Sequence, residues 1–248
     1  MKKLILSFVL CTLILTKLSF STSIDVDISE EIKSKIIYEV ENISFNVVKF
    51  STEFYNIGSI DYNARARVFV YDNDKLIFSG WSQERVLMPG DKKTFDIYWY
   101  SNYSGNYKFK LRFYFGNEII ESEMKGFQIN ETLTSEDVFD ISNFRTYDNY
   151  IVFDIKSKKD VKDVVIIPYK YVPSWIFEQK TLDNIKKDSI KTVLINFYPP
   201  AWRPFNITLA IAAENGKYFS QKNFQMKKEE GLIGLFNSIL DSLKLLVL

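Results

Sequence analysis

Between Tyr107 and Phe113 apolar and cationic residues alternate without a break, with Tyr107, Phe109, Leu111 and Phe113 on one side and Lys108, Lys110 and Arg112 on the other. A period of two is the repeat of an extended chain, whose successive side chains point to opposite faces. The segment therefore reads as a β-strand with one buried and one solvated face. Val48, Phe50, Thr52 and Phe54 oppose Lys49, Ser51 and Glu53 in the same way. Such alternation belongs to antiparallel sheets, because parallel strands covered on both faces read as unbroken apolar runs.

Turn signals punctuate the strands at short spacing: Asn56-Ile57-Gly58-Ser59, Asp72-Asn73-Asp74, Met88-Pro89-Gly90-Asp91, Ser101 to Gly105, and Gly116-Asn117. Short strands punctuated this often over about 100 residues indicate a β-sandwich of immunoglobulin size. Gly105-x-Tyr107 fits the corner of such a sandwich, where a tyrosine bonds back to the backbone two residues before the position that carries a cysteine in antibodies. Phe109 occupies that position here, so apolar packing is expected in place of a disulfide. A second series follows: Tyr150 to Ile155, Val164 to Tyr171, Ile190 to Phe197, Phe205 to Ala213, then Asn215-Gly216 and Tyr218 to Met226. Each half ends on a Phe-Gln-apolar triplet, Phe127-Gln128-Ile129 and Phe224-Gln225-Met226.

The expected fold class is all-β: two tandem immunoglobulin-like antiparallel β-sandwiches plus a short amphipathic C-terminal helix. One larger sandwich is the less economical alternative. The expected organisation is a signal peptide over 1–23, a first sandwich over 24–130, a linker over 131–137, a second sandwich over 138–228 and the helix over 229–248. The N-terminal expectation rests on Met1-Lys2-Lys3, the apolar run Leu4 to Leu15 and the small residues Ser21-Thr22-Ser23. Lys17 interrupts that run short of the roughly twenty apolar residues a membrane span needs, which disfavours a retained anchor.

Phe54-Tyr55-Asn56-Ile57-Gly58-Ser59, Ala64 to Tyr71, Leu87-Met88-Pro89-Gly90-Asp91 and the Gly105-x-Tyr107 strand stand in an order that resembles the cell-adhesion-related (CARDB) class of immunoglobulin-like domains. The resemblance covers residues 42 to 129. It implies a non-catalytic surface or adhesion module of a secreted or cell-surface protein from an archaeon or bacterium. The second half departs from the pattern at Val172-Pro173-Ser174-Trp175 and Pro199 to Pro204.

The chain has no histidine and one cysteine, Cys11, which lies inside the expected signal. Imidazole bases, His-ligated metals and, after cleavage, thiol chemistry are thereby excluded. No cofactor and no metal are expected, and the chain is not expected to be an enzyme. Asp25-x-Asp27 and Asp72-x-Asp74 are too few oxygens for calcium, and Asp72 to Asp74 reads better as a hairpin tip. A glycosidase working with carboxylates alone is the third functional reading, but nothing singles out two of the 31 acids. Removal of Lys2, Lys3 and Lys17 with the signal leaves 29 cations against 31 acids, a net −2, so nucleic acid is not an expected partner.

Trp81, Tyr98, Trp99 and Tyr100, with Trp175 and Trp202, are a candidate sugar-stacking platform, and a carbohydrate-binding module is the second functional reading. Arg65, Arg67, Lys108, Lys110 and Arg112 form a cationic stripe if their strands share a sheet, read as a solvated face that protects an edge. Asn42, Asn102, Asn130 and Asn206 begin Asn-x-Ser/Thr triplets and are candidate glycosylation sites.

In the tail, Leu232, Leu235, Phe236, Ile239, Leu240, Leu243, Leu246 and Val247 follow helical spacing, with Asn237, Ser238, Asp241, Ser242 and Lys244 opposite. Such a helix is about 26 Å long against a hydrocarbon core of about 30 Å, and Asp241 near its centre costs about 3 kcal/mol there. Spanning is disfavoured; docking on the second sandwich, a partner or a membrane surface stays open. The first functional reading is thus an exported, non-enzymatic module for adhesion or protein–protein interaction, its partner an envelope protein or polymer.

Overall fold

The computed structural model describes residues 24–29, 32–44, 46–130, 134–171, 174–227, 239–241 and 243, the first two segments by backbone alone. The first half contains β1 (Ile24–Ser29), β2 (Ile32–Ser44), β3 (Val47–Asn56), β4 (Tyr62–Asp72), β5 (Lys75–Trp81), β6 (Arg85–Leu87), β7 (Lys92–Tyr100), β8 (Gly105–Phe115), β9 (Glu118–Glu121) and β10 (Lys125–Ile129). The second contains β11 (Phe139–Thr146), β12 (Tyr150–Ser157), β13 (Val161–Lys170), β14 (Ile176–Phe177), β15 (Lys180–Ile185), β16 (Ile190–Tyr198), β17 (Phe205–Ala213) and β18 (Tyr218–Met226). A first sheet ordered β1-β2-β3-β7 faces a second ordered β10-β8-β4-β5, and in the other sandwich β11-β12-β16-β14 faces β15-β13-β17-β18. The protein is an all-β sandwich structure, and every strand pair among the described residues is antiparallel.

The two halves share one connectivity. β3, β4, β5, β7, β8 and β10 correspond in pairing to β12, β13, β15, β16, β17 and β18. The closing triplets hold equivalent places, with Phe127 opposite Tyr107 and Phe224 opposite Ile207.

The alternating residues fill the cores as their period requires. Phe50 on β3 meets Phe109 on β8 across the two sheets at 5.1 Å between ring centroids, and Phe54 stacks on Phe113 at 4.3 Å. Aromatic packing thus fastens the sheets where an antibody domain places a disulfide. The Tyr107 hydroxyl donates to the Tyr103 carbonyl at 3.0 Å, which is the expected corner. Asn73 and Asp74 turn the β4–β5 hairpin with φ of 46° and 65°, as a two-residue primed turn needs.

The sandwiches meet edge to face. β5 and β7 end their sheets on the same side of the first sandwich, and β13 of the second lies against both. Val165, Ile167, Ala210 and Ala212 join the first core, while Val164, Ile166, Leu209 and Ile211 of the same strands point into the second. The Gln179 side chain accepts from Tyr98 N–H at 2.7 Å and donates to Tyr98 C=O at 2.8 Å, as the backbone of an added strand would. The Tyr171 hydroxyl donates to Ser79 C=O at 2.9 Å, and Glu84 N–H donates to the Glu178 carboxylate at 3.0 Å. Two edges that would otherwise invite foreign strands are closed within the molecule.

The segment between the sandwiches is fastened too. The Ser135 hydroxyl donates to Gly216 C=O at 2.6 Å and bonds the Tyr100 hydroxyl at 2.9 Å, and Glu136 N–H donates to Lys217 C=O at 3.0 Å. Gly216, at φ 90°, has no room for a side chain, since a Cβ there would lie 2.8 Å from that of Asn46.

Candidate functional site

Among the described residues, a cleft at the seam between the sandwiches and the docked C-terminal helix carry candidate functional chemistry. The cleft, about 420 Å³ in volume, is lined from the first sandwich by the loop 101–105 with Trp99, Tyr100 and Tyr107, and from the second by Tyr169, Phe219 and Gln221. Asp72 and Ile77 of the β4–β5 hairpin complete its rim.

The loop holds its shape through its own hydrogen bonds. Ser101 Oγ accepts from Tyr103 N–H at 3.1 Å and donates to Tyr103 C=O at 3.1 Å, and the Tyr107 hydroxyl meets that same carbonyl. With its backbone pinned, the Tyr103 ring stands 75% exposed at the mouth. Behind it Tyr100 stacks on Phe219 at 3.6 Å, across the seam. The Tyr169 hydroxyl has its pKa raised, chiefly by burial, with interactions from Tyr107, Tyr100 and Tyr103 adding to the shift and a contact with the Trp99 indole opposing it. Trp99 is 1% exposed, with its ring edge-on to Tyr107 at 4.9 Å between centroids.

This arrangement corrects the candidate sugar platform. Trp81 and Trp175 are 4% and 1% exposed, so neither offers a ring face to a ligand. Trp81 lies under Arg65 and Arg67 and against Tyr114, while Trp175 packs on Phe197 and Phe205 inside the second core, with Trp202 at its margin. The half-buried Tyr98 packs against the first core, and Gln179 bonds its backbone. Of the six, Trp99 and Tyr100 line the cleft. Tyr103, Tyr169 and Phe219 were not singled out from the sequence. The Gly105-x-Tyr107 signal marks the adjoining corner, but the rings opposite come from more than sixty residues away.

The cationic residues do share a face, since Arg67 pairs with Arg112, Phe69 with Lys110 and Tyr71 with Lys108. Arg67 and Arg112 cover the Phe69 ring at 4.6 and 5.0 Å. Lys110 meets Glu121 at 2.6 Å, Lys108 meets Asp74 at 2.7 Å and Arg65 meets Glu84 at 3.1 Å. Hydrogen bonds from Lys110 and Arg112 hold the Glu121 carboxyl below its usual pKa. Among the candidate glycosylation sites, Asn102, Asn130 and Asn206 are exposed and Asn42 lies on β2. Asn102 belongs to the cleft loop.

At its described residues the helix buries a side chain expected on its polar side. Asp241, placed by its spacing on the polar side, is 1% exposed and forms a two-pronged ion pair with Arg145, with one bond at 2.9 Å, while its carboxylate also accepts from the Tyr147 hydroxyl at 2.8 Å. Burial alone lowers the Arg145 pKa, but the bonds and charge of Asp241 outweigh it and raise the value above the usual one. Ile239, Leu240 and Leu243 are left 52%, 41% and 54% exposed on the outer side. The physical reason lies on β11 and just after it, where Arg145 and Tyr147 supply a charge and a donor that a carboxylate satisfies and an apolar side chain cannot. Leu232, Leu235, Phe236, Leu246 and Val247 lie outside the described residues, as does the expected signal over 1–23. Among the described residues no helix is long and apolar enough to cross a membrane, and no three His, Cys, Asp or Glu side chains form a metal-binding group.

No protein-family model matches the chain. No curated protein gives a significant match. Solved structures that align with it include red sea bream transglutaminase, at 10% identity and TM-score 0.27, over 78% of this chain and 31% of that one. The N-terminal periplasmic domain of ScsB from Proteus mirabilis aligns at 10% identity and TM-score 0.31, over 84% of this chain and 98% of that one. A Salmonella alpha-2-macroglobulin variant aligns at 6% identity and TM-score 0.27, over 80% of this chain and 16% of that one. Likenesses of this size assign neither a family nor an activity.

Proposed function

We propose that this chain is an exported, non-enzymatic interaction module of the cell envelope, held at a membrane surface by its C-terminal helix while the paired sandwiches face an envelope protein or polymer. The observation that carries this reading is the direction in which the helix docks. At the described residues the helix buries Asp241 and leaves Ile239, Leu240 and Leu243 outward, where a helix that only covered the second sandwich would turn the aspartate to water. An apolar strip on a polar-fastened helix is the arrangement of an interfacial anchor. The pinned loops and closed edges of the sandwiches suit presentation of a fixed surface, the role that the resemblance to adhesion-related domains implies.

Flotation of the full chain with phosphatidylglycerol/phosphatidylcholine vesicles tests the anchor. The wild type is expected to float with the vesicles, and the pair Leu240→Ser and Leu243→Ser to reduce the floated fraction about tenfold or more, since each buried leucine is worth roughly 1.5–3 kcal/mol. Equal flotation of both proteins, or none of either, contradicts the anchoring role. Crosslinking in intact cells then identifies the neighbour that the sandwiches face.

A further inference from the structure

We infer that the seam cleft binds a neutral saccharide, gripped between the free face of Tyr103 and the hydroxyl-rich floor beneath it. The inference stands independently of the membrane reading. A pyranose offers an apolar C–H face and a rim of hydroxyls, and a site for it needs an accessible ring beside fixed donors and acceptors. Tyr103 supplies the ring: 75% exposed, it stands on a backbone held by Ser101 and Tyr107. Tyr107 and Tyr169, which line the cleft behind it, carry phenolic oxygens that can accept from a sugar hydroxyl.

The rim narrows the ligand further. Asn102, Ser104, Gln221 and Asp72 contribute amides, a hydroxyl and a carboxylate, and no lysine or arginine lines the cleft. Anionic ligands therefore lack a counter-charge, while the hydroxyls of a neutral sugar find both donors and acceptors. The volume of about 420 Å³ falls within the roughly 300–1,000 Å³ of small-ligand sites and suits a short oligosaccharide. A proline-rich peptide asks for a longer groove ridged by several exposed rings. Only Tyr103 is largely exposed among the aromatic residues lining this cleft.

Two sources can supply the same chemistry: an external glycan, or a glycan attached to Asn102, which begins the triplet Asn102-Tyr103-Ser104. The full chain made in a host without N-glycosylation is titrated by saturation-transfer NMR and calorimetry with neutral gluco-, manno-, galacto- and N-acetylglucosamine oligosaccharides. Binding of at least one is expected, weakened about threefold to tenfold by Tyr103→Ala, an exposed change that leaves the pinned backbone in place. Tyr169→Phe, which removes a hydroxyl and keeps the ring, is expected to weaken it about threefold to tenfold, whereas a purely structural Tyr169 hydroxyl leaves affinity unchanged. In a glycosylating host, Asn102→Gln reads the second source: protection of Tyr103 from nitration that disappears in this variant identifies the attached glycan as the occupant. Silence across the panel together with no Asn102-dependent protection overturns the inference, as does binding of a polyproline peptide in the cleft when no saccharide binds.

Discussion

Tyr171 sits at the seam with its hydroxyl on Ser79 C=O, and burial raises its pKa well above the ordinary tyrosine value of 10.0. Tyr62 shifts the same way through burial alone. Below about pH 10 both folded and unfolded chains keep these protons, so the contribution of the buried phenols is complete there. Above it the unfolded chain releases protons that the folded chain retains, and stability falls as pH rises, by up to about 1.4 kcal/mol per pH unit for each such tyrosine. Urea titrations between pH 8 and 11 are expected to show this loss, and Tyr171→Phe to remove about one proton from the slope while costing about 1 kcal/mol at pH 8 for the lost bond. An unchanged slope in the variant contradicts the assignment. Phe50, Phe54, Phe109 and Phe113 were legible as core residues from the sequence, because period two is a local property. Burial of Trp81 was not, because it depends on arginines of the neighbouring strand and on Glu178, ninety-seven positions along the chain.

At the scale of the element, legibility again follows the range of the forces involved. β4, β7, β8, β12, β16 and β17 lie on segments that the alternation or the turn spacing marks. β11 was missed because Asn143, at φ 52°, interrupts its period and shifts its register between Ser142 and Arg145. β15 was missed because a polar edge strand, Lys180 to Ile185, leaves little apolar pattern to read. The helix was placed by its spacing, but the burial of Asp241 on its polar side was not legible, since Arg145 lies almost a hundred residues away. The Gln179 amide on β7 is likewise invisible to any local pattern. Gln179→Leu keeps the volume but strands the Tyr98 N–H and C=O, so a loss of about 2–4 kcal/mol is expected, with concentration-dependent self-association through the opened β7 edge. Denaturant unfolding and light scattering check the two effects, and Gln179→Glu, which can accept but not donate, is expected to fall between wild type and Gln179→Leu in stability.

Across the whole molecule, the apolar residues of β13 and β17 divide between two cores, and neither sandwich completes its own interior without the other. Val165, Ile167, Ala210 and Ala212 are at most 7% exposed and belong to the first core although the second sandwich carries them. An isolated second sandwich would present that face to water, a penalty that couples the folding of the two halves. A single calorimetric transition is therefore expected, with equal calorimetric and van't Hoff enthalpies. Ala212→Glu buries a charge at the seam without entering the second core, since Ala212 points toward the first sandwich while its neighbour Ile211 points the other way. The variant is expected to unfold in two steps, and the seam cleft to lose its far wall, so that any ligand bound through Tyr103 weakens with it. A variant that keeps one transition at a lowered midpoint would mean that the sandwiches are joined by more than this face. Ser135 and Glu136, which tie the connecting segment to Tyr100, Gly216 and Lys217, are then the contacts to remove next.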